Sequence, residues 1–169
     1  VQWVVIAYLL AITTVIVGVG RLGDIIGRRR LLLVGIVLFT VASSLCGVAP
    51  TLHLLVAARA VQGLGAAIVM ALTIAFVGAT VPKDRTGSAM GLLGTMSAIG
   101  TALGPSLGGV LIAGLGWRAI FFVNLPVAAM VFAITWLRVP ESPRAKSPGP
   151  LDVGGAVLAT VGLGGLVFF

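Results

Sequence analysis

The chain has 169 residues, of which 59% are hydrophobic and 9% are charged, and its mean hydropathy is +1.21. This composition leaves too little polar surface to cover a water-soluble globule, so it excludes the ordinary soluble classes and indicates a bilayer protein. The net charge of +7 does not indicate a nucleic-acid partner, because the basic residues lie in short breaks between apolar runs and not on one solvated face.

Six apolar runs indicate helices that cross a membrane, which takes about 20 residues each. The first five occupy residues 1–20, 31–49, 52–81, 86–116 and 119–137, and a sixth begins near Val153 and continues to Phe169. None alternates apolar with polar residues as the strands of a membrane barrel do. The sequence therefore predicts an all-α fold, a polytopic transmembrane helical bundle.

Lysine and arginine predict which ends of these spans face the cytoplasm, because short cytoplasmic loops are enriched in both. The breaks after the first, third and fifth runs carry Arg21, Arg28, Arg29, Arg30, Lys83, Arg85, Arg138, Arg144 and Lys146. The opposite loops carry His53, interpreted as interfacial, and Arg118. Val1 is then on the outer face, with Trp3 and Tyr8 as interfacial aromatics, and we expect a preceding span that the chain lacks.

The break after the first run, GRLGDIIGRRR, concentrates an aspartate and four arginines. Its glycines permit a tight turn, and Asp24 can accept from a helix N-terminus or pair with Arg28 or Arg29. The alternative is a positive-inside anchor whose arginines reach the headgroups. The pattern resembles the cytoplasmic signature between the second and third spans of the major facilitator superfamily, matched by Gly20, Leu22, Asp24, Gly27, Arg28 and Arg29.

That resemblance implies a cytoplasmic gate. In the family, the aspartate is understood to meet a helix end and a basic group across the two halves of the transporter, which favours one alternating-access state. Ile25 replaces the basic residue that usually follows the aspartate, so one contact of the loop is not expected here.

The third run places Arg59 and Gln62 in an apolar helix. An intramembrane arginine costs about 2.5 to 3.5 kcal/mol on insertion scales, so it needs a cavity or a partner. Either Arg59 snorkels outward, or it shares a polar, cavity-lining face with Gln62, three residues later. The pattern resembles the fourth-span motif of drug:proton antiporters in this superfamily, matched by Arg59, Gln62, Gly63, Gly65, Ala66 and Ala67. The resemblance implies that Arg59, Gln62 and Gly63 belong to the transport path.

The fourth run carries glycines spaced four apart, which form one groove for a neighbouring helix. Pro105 removes a helical hydrogen bond and is expected to bend the helix. Generic helix packing is the alternative interpretation. The full pattern G-x-x-x-G-P-x-x-G-G resembles the fifth-span antiporter motif, matched by Gly100, Gly104, Pro105, Gly108 and Gly109. It implies export and packing of this stripe against the other half of the transporter.

In the fifth run Asn124 precedes Pro126, and it either bonds a carbonyl that the proline frees or contacts substrate. The run resembles the sixth span of the fourteen-span drug:proton antiporter branch, and the short break from Val139 to Pro150 favours the same branch. The predicted organisation is a partial major facilitator fold. Residues 1–138 supply five helices of an N-terminal six-helix bundle without its first span, 139–150 form a cytoplasmic loop, and 151–169 begin a further helix, capped by Asp152.

The titratable residues predict neither a proton carrier nor an enzyme site in this chain. The acidic residues all fall in loops or at helix ends: Asp24, Asp84, Glu141 and Asp152. With one histidine and one cysteine, Cys46, which is interpreted as a core residue, no nucleophile and base pair or metal site is expected. We expect no cofactor, and a proton gradient as the energy source, with the titrating carboxylate in a missing part of the protein.

These patterns together predict a multi-pass plasma membrane transporter that exports drug-like or amphipathic compounds by proton-coupled alternating access, a multidrug efflux function. Its expected partners are lipids, protons, a small-molecule substrate and a missing C-terminal half. The alternatives are an exporter of one metabolite in the same superfamily and an inactive truncated membrane protein.

Overall fold

The computed structural model describes residues 3–6, 8–9, 12, 19, 22–23 and 25–139. Within these residues every regular element is a helix, which confirms the predicted all-α class. The helices are α1 Arg28–Val48, α2 Leu52–Thr80, α3 Thr86–Leu115, α4 Ala119–Phe122 and α5 Asn124–Arg138. The described residues before Gly27, called here the N-terminal segment, are also helical. The predictions for residues 140–169, including the cap at Asp152, lie outside the described residues.

Four stretches of the described chain are long and apolar enough to cross a membrane. They are α1, α2, α3 and the combined α4 and α5, with 21, 29, 30 and 20 residues. α1 begins at Arg28, before the apolar run, because arginine is a good helix former and extends the helix by most of a turn. The predicted first span at 1–20 lies only partly within the described residues.

The last of these stretches is interrupted at Val123, between α4 and α5. Pro126 has no backbone N–H, so the carbonyl of Phe122 cannot receive its usual hydrogen bond from four residues later. Val123 keeps helical dihedrals, with φ −62° and ψ −23°. The interruption therefore affects the hydrogen bonding and not the helical path of the backbone.

The packing core lies between α1, α2 and α5, and two glycines allow α1 and α2 to approach closely. A Cβ built on Gly65 would lie 2.6 Å from the backbone N of Phe39 and 2.9 Å from the carbonyl oxygen of Gly35. From this crossing one apolar cluster extends to α5, and its buried members are Val19, Leu31, Leu32, Ile36, Ile68, Leu72 and Ala128. The crossing fixes which side chains of α1 and α2 can meet.

Candidate functional site

The arginine-rich motif lies where the N-terminal segment meets α1, and the structure describes part of it. Gly27 has a φ of +100°, which a residue with a Cβ avoids, and its N–H donates to the carbonyl oxygen of Gly23 at 2.9 Å. Leu22 packs against the apolar cluster. Gly20 and Asp24 lie outside the described residues, so the gate at Asp24 stays a prediction.

Arg29 of this motif binds the end of α5. Its Nη2 donates to the carbonyl oxygen of Trp136 at 2.7 Å, and its guanidinium carbon lies 5.5 Å from the centre of the Trp136 ring. The carbonyl of Trp136 has no helical donor, because the residue four positions later is Pro140, which lacks a backbone N–H. The negative end of the helix dipole also favours a cation here. Sequence reasoning offered Asp24 as the partner of Arg29 and missed Trp136.

Arg59 and Gln62 form a hydrogen-bonded chain that reaches α1. Nη1 of Arg59 donates to Oε1 of Gln62 at 2.8 Å, and Nε2 of Gln62 donates to Oγ of Ser43 at 2.6 Å. The Cys46 thiol lies 4.0 Å from the same Gln62 oxygen. Gln62 is 1% exposed, and Ser43 and Cys46 are both 0% exposed. The core position predicted for Cys46 is confirmed, and the buried amide of Gln62 has partners on both sides.

Two aromatic rings flank the Arg59 guanidinium. Its central carbon lies 4.5 Å from the ring centre of Tyr8 and 5.7 Å from that of Phe121, and both distances are within the about 6 Å range of cation–π contacts. Phe121 is buried and meets Trp117 edge to face, with ring centres 6.3 Å apart. Tyr8, predicted only as an interfacial aromatic, thus contacts a cation within the bundle.

The Arg59 side chain is partly buried and contacts Gln62, Tyr8 and Phe121 inside the bundle. The choice between snorkelling and a path-lining position stays a prediction. No described carboxylate forms an ion pair with Arg59, and its Nε is buried without a hydrogen-bond partner. The described helices therefore hold a positive charge without neutralising it. Placing such a charge in a membrane costs free energy, so its presence there indicates a functional site.

The glycines that follow Gln62 lie inside the bundle. Gly63 and Gly65 are both buried, and Gly65 makes the close approach to α1 described above. In this conformation Gln62 is also enclosed, and its side chain contacts Arg59, Ser43 and Cys46. The transport-path role of Gln62 and Gly63 stays a prediction.

The glycine stripe of the fourth run lies on α3, which has no buried residue. A Cβ built at Gly100, Gly104, Gly108 or Gly109 would meet nothing within 4 Å. Pro105 lies inside α3 and does not interrupt it. The described helices leave this small-residue face uncovered, and its packing against another half stays a prediction.

A mostly apolar cavity of about 270 Å³ lies between the N-terminal segment, α1, α2 and α5. Its lining residues are Tyr8, Ile36, Phe39, Ala66, Val69, Met70, Asn124, Val127, Ala128 and Val131. Nδ2 of Asn124 donates to the carbonyl oxygen of Ile120 at 3.5 Å, whereas the carbonyl that Pro126 frees belongs to Phe122. The structural prediction for Asn124 was therefore wrong about the acceptor. Contact between Asn124 and a substrate stays a prediction.

The described residues contain no group of three or more histidine, cysteine, aspartate or glutamate side chains that could hold a metal ion. The site built by this part of the chain consists instead of one cation, its amide and hydroxyl partners, and aromatic rings. Groups of this kind can orient a charge through hydrogen bonds and cation–π contacts.

Comparison with known families decides what kind of protein carries this arrangement. The family model described as "Major Facilitator Superfamily" matches residues 1–168. The chain belongs to the Major Facilitator Superfamily. With four candidate spans in its described part, this major facilitator chain is a multi-pass membrane protein.

Three similar proteins illustrate the range of its relatives. Multidrug resistance protein Stp of Mycobacterium tuberculosis (strain CDC 1551 / Oshkosh) is 42% identical over 168 residues, which are 99% of this chain and 31% of that protein. The Probable actinorhodin transporter of Streptomyces coelicolor is 38% identical over 172 residues, covering 99% of this chain and 30% of that protein. Riboflavin transporter RibZ of Clostridioides difficile is 33% identical over 158 residues, covering 94% of this chain and 35% of that protein. The chain thus spans about a third of the length of these relatives.

Within this major facilitator chain, sequence reasoning missed three side chains of the Arg59 cluster. Ser43 carried a usable signal, because a hydroxyl inside an apolar span needs a hydrogen-bond partner. Tyr8 was interpreted only as an interfacial aromatic, because it lies near the end of a predicted span. Phe121 carried no signal, since it stands in an apolar run beside another phenylalanine.

Proposed function

We propose that the complete protein is a secondary active transporter of the fourteen-span branch that exports drug-like or amphipathic compounds in exchange for protons across the plasma membrane. The observation that carries this proposal is the Arg59 cation, held inside an apolar bundle by Gln62 at 2.8 Å with no described carboxylate paired to it. The match to the antiporter motif supports the proposal. So do the relatives named as a multidrug resistance protein and an actinorhodin transporter.

In this mechanism the substrate site lies near the membrane midplane, between two halves that alternate in access. Arg59 faces the path, and Gln62, bonded to Ser43, orients it. Asp24 and Arg28 latch the cytoplasmic side when the halves close there. The uncovered glycine face of α3 packs against the second half.

The proton gradient supplies the energy in this proposal. Asp84 is the one carboxylate among the described residues, and it lies in an exposed loop beside Arg85, with 3.9 Å between Oδ2 and Nε. A carboxylate in water at a helix end is not placed to titrate inside the membrane. The proton carrier therefore belongs to a part of the protein beyond these helices.

A second candidate is export of one specific metabolite. The relative named as a riboflavin transporter favours it, because the superfamily members similar to this chain are not all named for drugs. The two candidates differ in substrate range. Efflux of several unrelated dyes that compete with one another supports the multidrug candidate, and efflux of a single compound supports the metabolite exporter.

The test is dye efflux from cells that express the full-length protein, with and without an uncoupler. We expect efflux to stop with the uncoupler, and Arg59→Ala to abolish it while the protein is still expressed. Lys83→Ala is the matched control, since it removes an equal charge from an exposed loop residue. Efflux that persists with the uncoupler would exclude proton coupling, and unchanged efflux in Arg59→Ala would exclude the role of Arg59.

A further inference from the structure

The Arg59 guanidinium is held by groups that cannot accept its proton. Its neighbours are the rings of Tyr8 and Phe121 and the amide of Gln62. An ion pair with a carboxylate would stabilise the cation but cancel its charge. An aromatic face stabilises the cation through the ring quadrupole and leaves the net charge in place.

These contacts come from separate segments of the chain. Tyr8 belongs to the N-terminal segment, Phe121 to α4, and Ser43, which anchors Gln62, to α1. Arginine suits this setting because its guanidinium is flat, stacks on rings and donates in fixed directions. The two ring contacts and the hydrogen bond to the amide together restrain the position of the guanidinium.

We propose that Tyr8 and Phe121 are positioning residues that clamp the Arg59 guanidinium between two aromatic faces and keep its charge oriented and available for transport. The inference rests on the proposed transport function and adds two residues that the sequence motifs do not include. Phe121 is itself held in place by the edge-to-face contact with Trp117, at an interplanar angle of 87°. The Tyr8 contribution is its ring face.

The neighbouring residue Phe122 provides a control for the change from phenylalanine to leucine. It stands on the same short helix, and its ring contacts the position of Gly47, where a built Cβ would lie 2.7 Å from the ring. Replacing either phenylalanine by leucine removes one aromatic ring, although Phe121 is 9% exposed and Phe122 is 41% exposed. Only the ring of Phe121 faces the cation.

The first measurement is gradient-driven efflux by the full-length protein. We expect Phe121→Leu and Tyr8→Leu each to lower the efflux rate about tenfold, the order of a desolvated cation–π contact. Tyr8→Phe keeps the ring face, and Phe122→Leu removes no ring from the cation. The efflux rate of each should therefore stay within about twofold of that of the unmodified protein. Equal losses in Phe121→Leu and Phe122→Leu at equal expression would overturn the proposal.

The second measurement is a double-substitution cycle on the melting temperature of the purified full-length protein. The shift caused by Phe121→Leu should shrink in the Arg59→Gln background, because residues in contact are not additive. The shift caused by Phe122→Leu should persist there. Additive shifts for Phe121 and Arg59 would overturn the clamp even in variants that do not transport. Absence of gradient-dependent efflux from the unmodified protein would instead overturn the proposed function, whatever the cycle shows.

Discussion

The arginines Arg29 and Arg118 differ from Arg59 in the groups that they bind. Arg29 donates to the carbonyl of Trp136, and Arg118 donates to the carbonyl of Ala49 at 3.3 Å. Each completes a helix end, where exposed carbonyls attract cations. Arg59 contacts no helix end in the described chain and binds a side-chain amide and two rings. The structural contribution of the first two arginines is therefore separable from the functional role proposed for Arg59.

Gly65 shows how one residue of a transport motif can act through packing. Gly65→Ala would place a methyl group 2.6 Å from the backbone N of Phe39 and 2.9 Å from the carbonyl of Gly35, and backbone atoms cannot turn aside as a flexible side chain can. We expect a loss of about 1–3 kcal/mol in the free energy of unfolding, the usual cost of overpacking. A lower melting temperature of the full-length protein in detergent would report this loss.

Gly91→Ala is the control for that measurement, because a Cβ at Gly91 meets nothing within 4 Å. Alanine is about 1 kcal/mol more favourable than glycine in a helix, so the melting temperature should hold or rise. A similar fall for both substitutions would contradict the close approach of α1 and α2 at Gly65.

At the scale of the element, α3 differs from the other long helices. α1 and α2 bury residues against each other, whereas α3 buries none among the described residues. Its open face carries glycines, which let another backbone approach closely. We therefore expect another helix of the complete protein to pack against this glycine face.

Gly104→Val tests whether that partner exists in the complete protein. The described helices leave open space at Gly104, so we expect normal amounts of folded protein but a loss of most efflux, because valine would hold the opposing helix away. The measurements are expression by size-exclusion chromatography and dye efflux.

Gly91→Val is the matched substitution on the same helix. At 3.6 residues per turn, Gly91 lies about 140° around α3 from Gly104. Efflux should persist in this variant. Loss of efflux in both variants, or in neither, would show that the glycine face is not a functional interface.

At the scale of the whole molecule, the charged residues predict a single orientation in the membrane. His53 and Lys83 lie near opposite ends of α2 and are both exposed. A membrane-impermeant thiol reagent should label His53→Cys in intact cells and Lys83→Cys only after permeabilisation. Cys46 is fully buried, and the protein without either substitution provides the baseline.

Labelling of both positions from the same side would contradict this topology. Labelling of both from outside would also contradict the cytoplasmic gate, because Arg28 and Lys83 are assigned to the same face. The result does not depend on transport activity, so it tests the architecture by itself.

Four of the predicted spans match described helices to within a few residues. The run at 52–81 became α2 Leu52–Thr80, and the run at 86–116 became α3 Thr86–Leu115. Apolar length is a local property, and hydrocarbon allows no unpaired backbone, so such a run becomes a helix whatever it packs against. The exception at Val123 also has a local cause, the missing N–H of Pro126.

By itself, the sequence determined the helical class, the four spans that the structure describes, and the two polar residues at the centre of the candidate site, Arg59 and Gln62. Only the tertiary structure decided that Tyr8, Ser43 and Phe121 meet them, and that Asn124 bonds the carbonyl of Ile120. The first three contacts join residues on different helices. The Asn124 contact depends on which nearby carbonyl its side chain turns toward. The geometry of the first three follows from helix crossings such as that at Gly35 and Gly65, and the periodicity of a single helix does not contain that information.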